Sequence, residues 1–198
     1  MNEQFKDPTV WTLWWPRLSQ IGDALINHEQ QWRQDWEPAL TEAKGTLTLQ
    51  TLTLIAIADR IDRSSEGLAL IDYKSGGQFA KKAIKNGRNP QLPVEALITA
   101  QGTFENLPRD QKAQTLQYWV LKGGKDALEI TAVNDEMDSI IENTYTGLLT
   151  LIETYNDEKT PYHCRPNPEN IPRFDDYEHL SRIREWGTKK DANESDAA

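Results

Sequence analysis

Two aspartates and a lysine near the middle of the sequence have the types and spacing of a metal-dependent hydrolytic site. Asp59 lies late in one apolar segment, and Asp72 and Lys74 lie two residues apart at the end of the next. Carboxylate oxygens suit a hard cation such as Mg²⁺, which takes one or two protein carboxylates and keeps several waters. Such a cation stabilises charge that develops on phosphate, and a nearby amine can orient the attacking water. These residue types therefore indicate metal-assisted hydrolysis of a phosphate ester.

The two apolar segments, 52–61 and 68–74, predict a β-hairpin. Both are rich in Leu and Ile with alternation, which is typical of strands. The residues between them include Ser64-Ser65-Glu66-Gly67, a turn-forming group.

Antiparallel pairing about the centre of that turn puts Asp59 opposite Asp72 and Ile61 opposite Leu70. Because side chains alternate along a strand, Lys74 shares the face of the two aspartates. Two carboxylates this close require a compensating cation. Lys74 supplies one positive charge, and a divalent metal would supply the rest.

The same residues permit a second interpretation, in which Asp72 and Lys74 form a buried ion pair and Asp59 lies at the rim of the sheet. A one-residue bulge would send the two aspartates to opposite faces and remove the metal site. In the first interpretation the carbonyl of Tyr73, which the strand holds in place, is a further metal ligand. The residue pattern leaves both interpretations open.

Around the hairpin the sequence predicts a mixed α/β domain with strands adjacent in sequence, unlike regular βαβ alternation. The predicted elements are a helix from Trp15-Pro16, a short helix through Leu40 and Glu42 that ends at Gly45, strands over 47–50, 52–61 and 68–74, a helix from Asn89-Pro90 to about Ala100, a strand over 115–121, and a long helix with an apolar face from Ile141 to Tyr155. Residues 160–173 are predicted to be extended, and 188–198 to form a flexible tail.

The charge distribution is uneven. The net charge of −9 argues against a nucleic-acid partner, since binding to phosphates depends on Lys and Arg. The segment from Lys74 to Arg88 is nevertheless free of acidic residues. Four basic residues in this segment are candidates for contact with a DNA backbone: Lys81, Lys82, Lys85 and Arg88. The alternative is that they form a solvated helix face.

Other features of the sequence exclude several kinds of site. The single cysteine, Cys164, excludes an internal disulfide and an iron–sulfur cluster, and it favours a reducing compartment. No P-loop is present, so no ATP site is expected. No segment is apolar enough to span a membrane. We expect a soluble, cytoplasmic protein in which His28, on the apolar stripe of the first helix, is a core residue.

Three motifs in order resemble those of RecB-type nucleases of the PD-(D/E)XK superfamily. They are Ala-Asp-Arg-Ile-Asp-Arg at 58–63, Ile-Asp-Tyr-Lys-Ser-Gly at 71–76 and Gln-Leu-Pro-Val-Glu-Ala at 91–96. Residues 14–17 and 176–186 are similar to the C-terminal nuclease domain of alphaproteobacterial AddB-type helicase–nuclease subunits. The resemblance extends over nearly the whole chain.

This resemblance implies a restriction-endonuclease-like core: a mixed sheet flanked by helices in the order αβββαβ plus a C-terminal helix, forming one domain over 1–187. It implies that Asp59 and Asp72 bind Mg²⁺, which Mn²⁺ can replace, and that Lys74 is the catalytic lysine. Gln91 would approach from the following helix, and Glu42 would add a carboxylate. The implied activity is exonuclease-type hydrolysis of DNA during double-strand break processing for recombinational repair, in a larger protein with an AddA-like partner.

The chain departs from that pattern at two positions that bear on activity. RecB-type domains often take a metal-binding His from an upstream helix, whereas His28 follows Gly22 at a different spacing. Glu95 stands where the family often has Tyr. The alternative function is therefore a catalytically incomplete module, on a nuclease scaffold, that handles DNA or docks a subunit.

Overall fold

The computed structural model describes residues 10–109, 111–163 and 178–181. After a short π-helix over Val10–Trp14, the elements are α1 (Trp15–Trp32), β1 (Glu37–Leu49), β2 (Leu52–Arg63), β3 (Leu68–Lys74), α2 (Lys81–Lys85), α3 (Gln91–Gln101), β4 (Thr103–Phe104), β5 (Ala113–Leu121), β6 (Leu128–Val133), α4 (Met137–Asn156) and α5 (Glu178–Ser181). No helix in these ranges is long and apolar enough to cross a membrane.

The chain divides into two compact units, 1–153 and 154–198. The first contains the sheet and nearly all the helices. In the second, Tyr155 stacks on Tyr162 with ring centroids 5.0 Å apart, and the Thr160 hydroxyl donates to the Thr154 carbonyl. All candidate site residues lie in the first unit.

The first unit is built on a six-stranded sheet in the order β4-β1-β2-β3-β5-β6. Only the β3–β5 pair is parallel. Arg60 pairs with Ile71 and Ile61 with Leu70, so the predicted hairpin register is confirmed and contains no bulge over these pairs. The predicted mixed α/β fold is confirmed too.

Both faces of the central strands are covered. On one face α3 packs with its Leu92, Leu97 and Ile98 against a large apolar cluster that includes Leu70. On the other face α1 covers a small cluster formed by Ala69, Ile71 and Trp119. Because β3 is covered on both faces of the sheet, all of its residues from Leu68 to Asp72 are buried. A strand in this position carries apolar side chains on both faces.

α3 ends where the main chain passes close to β1. A Cβ at Gly102 would lie 2.4 Å from the Thr46 carbonyl oxygen, so only glycine fits there. This close passage fixes α3 against the sheet. Gln91 at the start of α3 then contacts Asp72 near the end of β3, and Glu95 lies beside Gln91.

The predicted short helix ending at Gly45 is wrong, since β1 runs continuously from Glu37 to Leu49. Pairing with β2 along nearly the whole strand outweighs the helix-forming residues at its start. The period-two burial of Ala43, Gly45, Leu47 and Leu49 confirms a strand. α2 agrees with the interpretation of the basic segment as a helix face, whereas β4 and β6 were not predicted from the sequence.

The other predicted elements differ only at their ends. The first helix begins at Trp15 as predicted, and the helix after Asn89-Pro90, the strand over 115–121 and the long helix correspond to α3, β5 and α4. Leu25 and Trp32 of the α1 stripe pack on the sheet. Leu18 is exposed. Most of the predicted extended segment 160–173 and the whole tail 188–198 lie outside the described residues.

Candidate active site

Asp72 is the central residue of the site. It lies near the end of β3 and is 1% exposed, because α3 covers this part of the sheet. The Gln91 side-chain amide on α3 donates to Asp72 Oδ1. Lys74 Nζ lies 2.6 Å from Asp72 Oδ2 in an ion pair. Beside this ion pair, Asp72 Oδ2 has no hydrogen-bond partner among the described residues, so Lys74 alone compensates this buried oxygen.

Asp59 lies next to Asp72, at the point where the β2–β3 ladder ends. The last ladder pair is Arg60 with Ile71. Beyond it, the Tyr73 amide donates to Asp59 Oδ2 at 2.9 Å, so a side chain takes the place of a main-chain acceptor. The two carboxylates interact: burial first, and the charge of Asp59 in addition, raise the pKa of Asp72, whereas Lys74 and Gln91 lower it.

Gln91 connects the lysine to the carboxylates. Its Oε1 accepts from Lys74 Nζ at 3.1 Å, while its Nε2 donates to Asp72 and, at 3.5 Å, to Glu95 Oε1. Both the oxygen and the nitrogen of the Gln91 amide are therefore hydrogen-bonded. These bonds hold the lysine ammonium beside Asp72. The structure thus brings together Asp59, Asp72, Lys74 and Gln91, as the motifs predict.

Glu95 is a site residue whose position the sequence did not reveal. It is 2% exposed, and its Oε2 has no hydrogen-bond partner among the described residues. Burial, followed by the charge of Asp72, raises its pKa to about 8. At neutral pH the carboxyl is therefore mostly protonated. The sequence does indicate that Glu95 is near Gln91, because residues four apart lie on the same face of a helix.

Glu42 lies beside the site without joining its hydrogen bonds. It sits in β1 between the pairs Thr41–Arg60 and Ala43–Ala58, which puts it opposite Asp59. Its φ of 50° is in the left-handed region, so the strand is irregular there. The side chain is exposed, and no hydrogen bond or ion pair links it to either aspartate in the part of the chain that the structure describes.

The basic segment after β3 is only partly available to a ligand. Lys81 and Lys82 on α2 are exposed, as is Arg88. Lys85 instead forms ion pairs with Asp135 at 2.7 Å and Glu136 at 3.2 Å. The positive charge that could meet a phosphate backbone is therefore concentrated on the other three residues.

The opposite face of the sheet holds a buried ionic network. Arg60 pairs with Asp62 and with Glu29, and donates to the Tyr73 hydroxyl at 3.0 Å. The Trp32 indole donates to Asp62 at 2.7 Å. Desolvation lowers the pKa of Arg60, but these partners outweigh it and the net pKa is raised. Arg60 and Asp62 are thus structural groups, because their charges compensate each other and those of neighbouring residues on the face away from the candidate site.

His28 lies on that same face and not at the site. Its ring meets Trp119 edge-on, with centroids 4.6 Å apart. Burial lowers its pKa. This packing fits the expected core histidine.

The donor set of the site fits a hard divalent cation. Within the described residues, no group of three or more His, Cys, Asp or Glu side chains converges on a metal position. A cation would therefore be held by the carboxylates of Asp59 and Asp72, the Tyr73 carbonyl and water, which is a typical Mg²⁺ environment. Asp59 and Asp72 are two interacting carboxylates with one ammonium, that of Lys74, beside them, and the remaining negative charge supports this assignment.

The raised pKa of Glu95 makes stability depend on pH. In the unfolded chain this carboxyl ionises near its ordinary value of 4.5, whereas in the fold its pKa is about 8. The stability that the protonated Glu95 carboxyl contributes to the fold is fully present below pH 4.5 and is lost as the pH rises toward about 8. We expect the free energy of unfolding to fall by a few kcal/mol between pH 5 and pH 8 in the wild type relative to Glu95→Gln, because Gln cannot ionise. Urea denaturation at both pH values measures this difference, and parallel curves for the two proteins would contradict it.

Proteins of Rickettsia species are similar in sequence to this chain. An uncharacterised protein of Rickettsia bellii is 27% identical over 184 residues, covering 84% of this chain and 22% of its own length. One from Rickettsia typhi is 27% identical over 212 residues, covering 86% of this chain and 24% of its own. The chain therefore spans about a quarter of the length of these relatives.

The family comparison covers most of the chain. Residues 3–168 match the sequence model of the PD-(D/E)XK nuclease superfamily, a span that includes every residue of the candidate site. The chain belongs to the PD-(D/E)XK nuclease superfamily.

Proposed function

We propose that this domain is a Mg²⁺-dependent deoxyribonuclease that hydrolyses phosphodiester bonds. The main support is the cluster at the end of β3, in which Lys74 and Gln91 contact Asp72 and each other, and the Tyr73 amide holds Asp59 beside them. Members of this superfamily are in general metal-dependent nucleases. The cluster retains both carboxylates and the amine that such hydrolysis needs.

Each residue has a distinct role in this proposal. Asp59 and Asp72 hold the cation, with the Tyr73 carbonyl as a further ligand. The bound cation supplies charge stabilisation at the phosphate and lowers the pKa of a bound water. Lys74 orients the attacking water from the side facing Asp72. Gln91 holds Lys74 at its Oε1.

The DNA backbone would lie along α2 and the segment that follows it. Lys81, Lys82 and Arg88 are exposed there and can each neutralise a phosphate. Lys85 contributes less, since Asp135 and Glu136 already compensate its charge.

We further propose that the domain acts as an exonuclease in double-strand break processing, within an AddB-type subunit that assembles with an AddA-like partner in the cytoplasm. The similarity of segments 14–17 and 176–186 to that subunit supports this role. The chain's share of its relatives' length, about a quarter, supports a larger parent protein. The single cysteine supports a reducing compartment.

One observation favours a second candidate, a non-catalytic module that handles DNA or docks a subunit. Lys74 already neutralises Asp72 in an ion pair, so the cluster has a satisfied state without metal. The net charge of −9 points the same way. Metal binding separates the two candidates.

We expect Mn²⁺ or Mg²⁺ to bind the purified domain, and Asp59→Asn to weaken that binding by about tenfold or more, since it removes a charged ligand. Isothermal titration calorimetry measures the affinity, and cleavage of a DNA oligonucleotide with metal or with EDTA measures the activity. Asp126→Asn, an exposed acid remote in sequence from the cluster, is the matched control. No metal binding by the folded wild type would favour the docking module.

A further inference from the structure

A cleft adjoins the catalytic cluster and is not used by the roles assigned so far. It has a volume of about 270 Å³ and shares Gln91 and Glu95 with the cluster. Its lining residues come from β2 and from the start of α3: Ile55, Ala56, Ile57, Pro90, Gln91, Val94 and Glu95.

The wall of the cleft on β2 is formed by large aliphatic side chains that face solvent. Ile55 is 63% exposed and Ile57 is 57% exposed. Both line the cleft together with Gln91 and Glu95, and Ile57 precedes Asp59 by two residues, roughly 7 Å along an extended strand. Two exposed isoleucines in a row leading to a catalytic carboxylate form an apolar surface that ends at the site.

The cleft also contains an unsatisfied polar group. The Glu95 carboxyl is almost fully buried, lines the cleft and leaves Oε2 without a partner among the described residues. A buried polar atom of this kind costs free energy unless a ligand or water pairs with it. The cleft therefore combines apolar walls with one group that can form a hydrogen bond.

We propose that this cleft binds the nucleobase of the nucleotide next to the scissile phosphate in an unpaired DNA strand, with the base face against Ile55 and Ile57 and the base edge at Glu95. The proposal rests on the proposed nuclease function and adds the form of the substrate. A base has flat apolar faces and a polar edge, which matches the walls and the carboxyl. A base within a duplex is stacked and paired, so it enters such a cleft only after leaving the helix. The chemistry of the cleft thus selects an unpaired strand.

The protonation of Glu95 suits this contact. Because burial, followed by the charge of Asp72, raises its pKa to about 8, the carboxyl near neutral pH carries an O–H donor beside the oxygen that accepts from Gln91. Base edges present acceptors that such a donor can meet. A neutral carboxyl also avoids adding a third negative charge beside Asp59 and Asp72.

The test uses the full chain, Mg²⁺ and single-stranded oligonucleotides of one sequence in which a single abasic nucleotide is moved along the strand. Abasic sites keep the phosphate backbone and remove only the base. We expect kcat/KM to fall about tenfold when the abasic nucleotide adjoins the scissile phosphate, and to stay constant when it lies several nucleotides away. A flat profile across all positions would overturn the proposal.

Matched variants locate the contact. Ile55→Ala with Ile57→Ala should lower kcat/KM on the intact strand about tenfold and remove the abasic effect. Leu52→Ala changes an exposed side chain of the same strand outside the cleft. It should leave both kcat/KM on the intact strand and the abasic effect unchanged. Because these side chains are exposed, the variants should fold. Equal abasic effects in the double variant and the wild type would place the base elsewhere and overturn the proposal.

The experiment also separates this inference from the proposed function. If the folded wild type cleaves no intact oligonucleotide, single-stranded or duplex, the nuclease function fails and the subsite with it. If it cleaves intact strands with a flat abasic profile, only the subsite fails. Cleavage of a blunt duplex as fast as the unpaired strand would likewise contradict the selection of an unpaired strand.

Discussion

Asp72→Asn is expected to lower the rate of DNA cleavage by about 10³-fold or more while the domain stays folded. The Asp72 carboxylate is almost fully buried and pairs with Lys74, and under the proposed function its loss would also remove a metal ligand. Several kcal/mol of charge stabilisation at the phosphate depend on that metal, and about 1.4 kcal/mol corresponds to a factor of ten in rate. Steady-state cleavage of a labelled oligonucleotide measures the loss.

Stability should change little in this variant. Burial raises the pKa of Asp72, so a neutral amide relieves a desolvation penalty, and this offsets the one contact with Gln91 or Lys74 that its Nδ2 cannot accept. The control is Asp126→Asn, which should keep wild-type activity. Retention of more than a tenth of the activity by Asp72→Asn would refute its role as a metal ligand.

Arg60→Ala should destabilise the fold by about 3–5 kcal/mol, which is the typical cost of removing one partner from a buried ionic network. Asp62, which is 0% exposed, would lose its positive partner, and Glu29 would lose one as well. Urea denaturation followed by tryptophan fluorescence measures the change, since Trp32 and Trp119 lie beside the network.

Arg63→Ala is the matched control for that variant. It removes the same side chain from the same strand three residues later, at an exposed position, and should cost less than about 0.5 kcal/mol. Similar losses in the two variants would show that the network contributes nothing specific to stability.

The hairpin that holds the site was predictable because its determinants are local. A turn group between two apolar segments sets the register, and alternation then assigns Asp59, Asp72 and Lys74 to one face. The structure confirms the strand pairing next to Asp59, and it shows one hydrogen bond that the alternation of side chains does not predict. Tyr73 donates its amide to the Asp59 side chain, so the ladder ends there.

The features that were missed depend on contacts between distant parts of the chain. β1 begins with residues that suit a helix, and it is a strand because β2 pairs with it along its length. Lys85 meets Asp135 across 50 residues, which no local pattern shows. The burial of Glu95 requires knowing how α3 packs on the sheet. Local spacing therefore predicted which side chains come together at the candidate site, whereas tertiary packing determines which of their charges are neutralised.

Tyr73 is held from two directions by neighbouring residues of β2. Asp59 accepts its amide, and Arg60 donates to its hydroxyl on the far side of the sheet. One residue thus joins the edge proposed to bind metal to the ionic layer behind it. Loosening the Tyr73 phenol would also shift its peptide group, which is the proposed further ligand of the cation. Variants that replace the ionic layer with hydrocarbon side chains to raise heat resistance should therefore be screened for turnover as well as for melting.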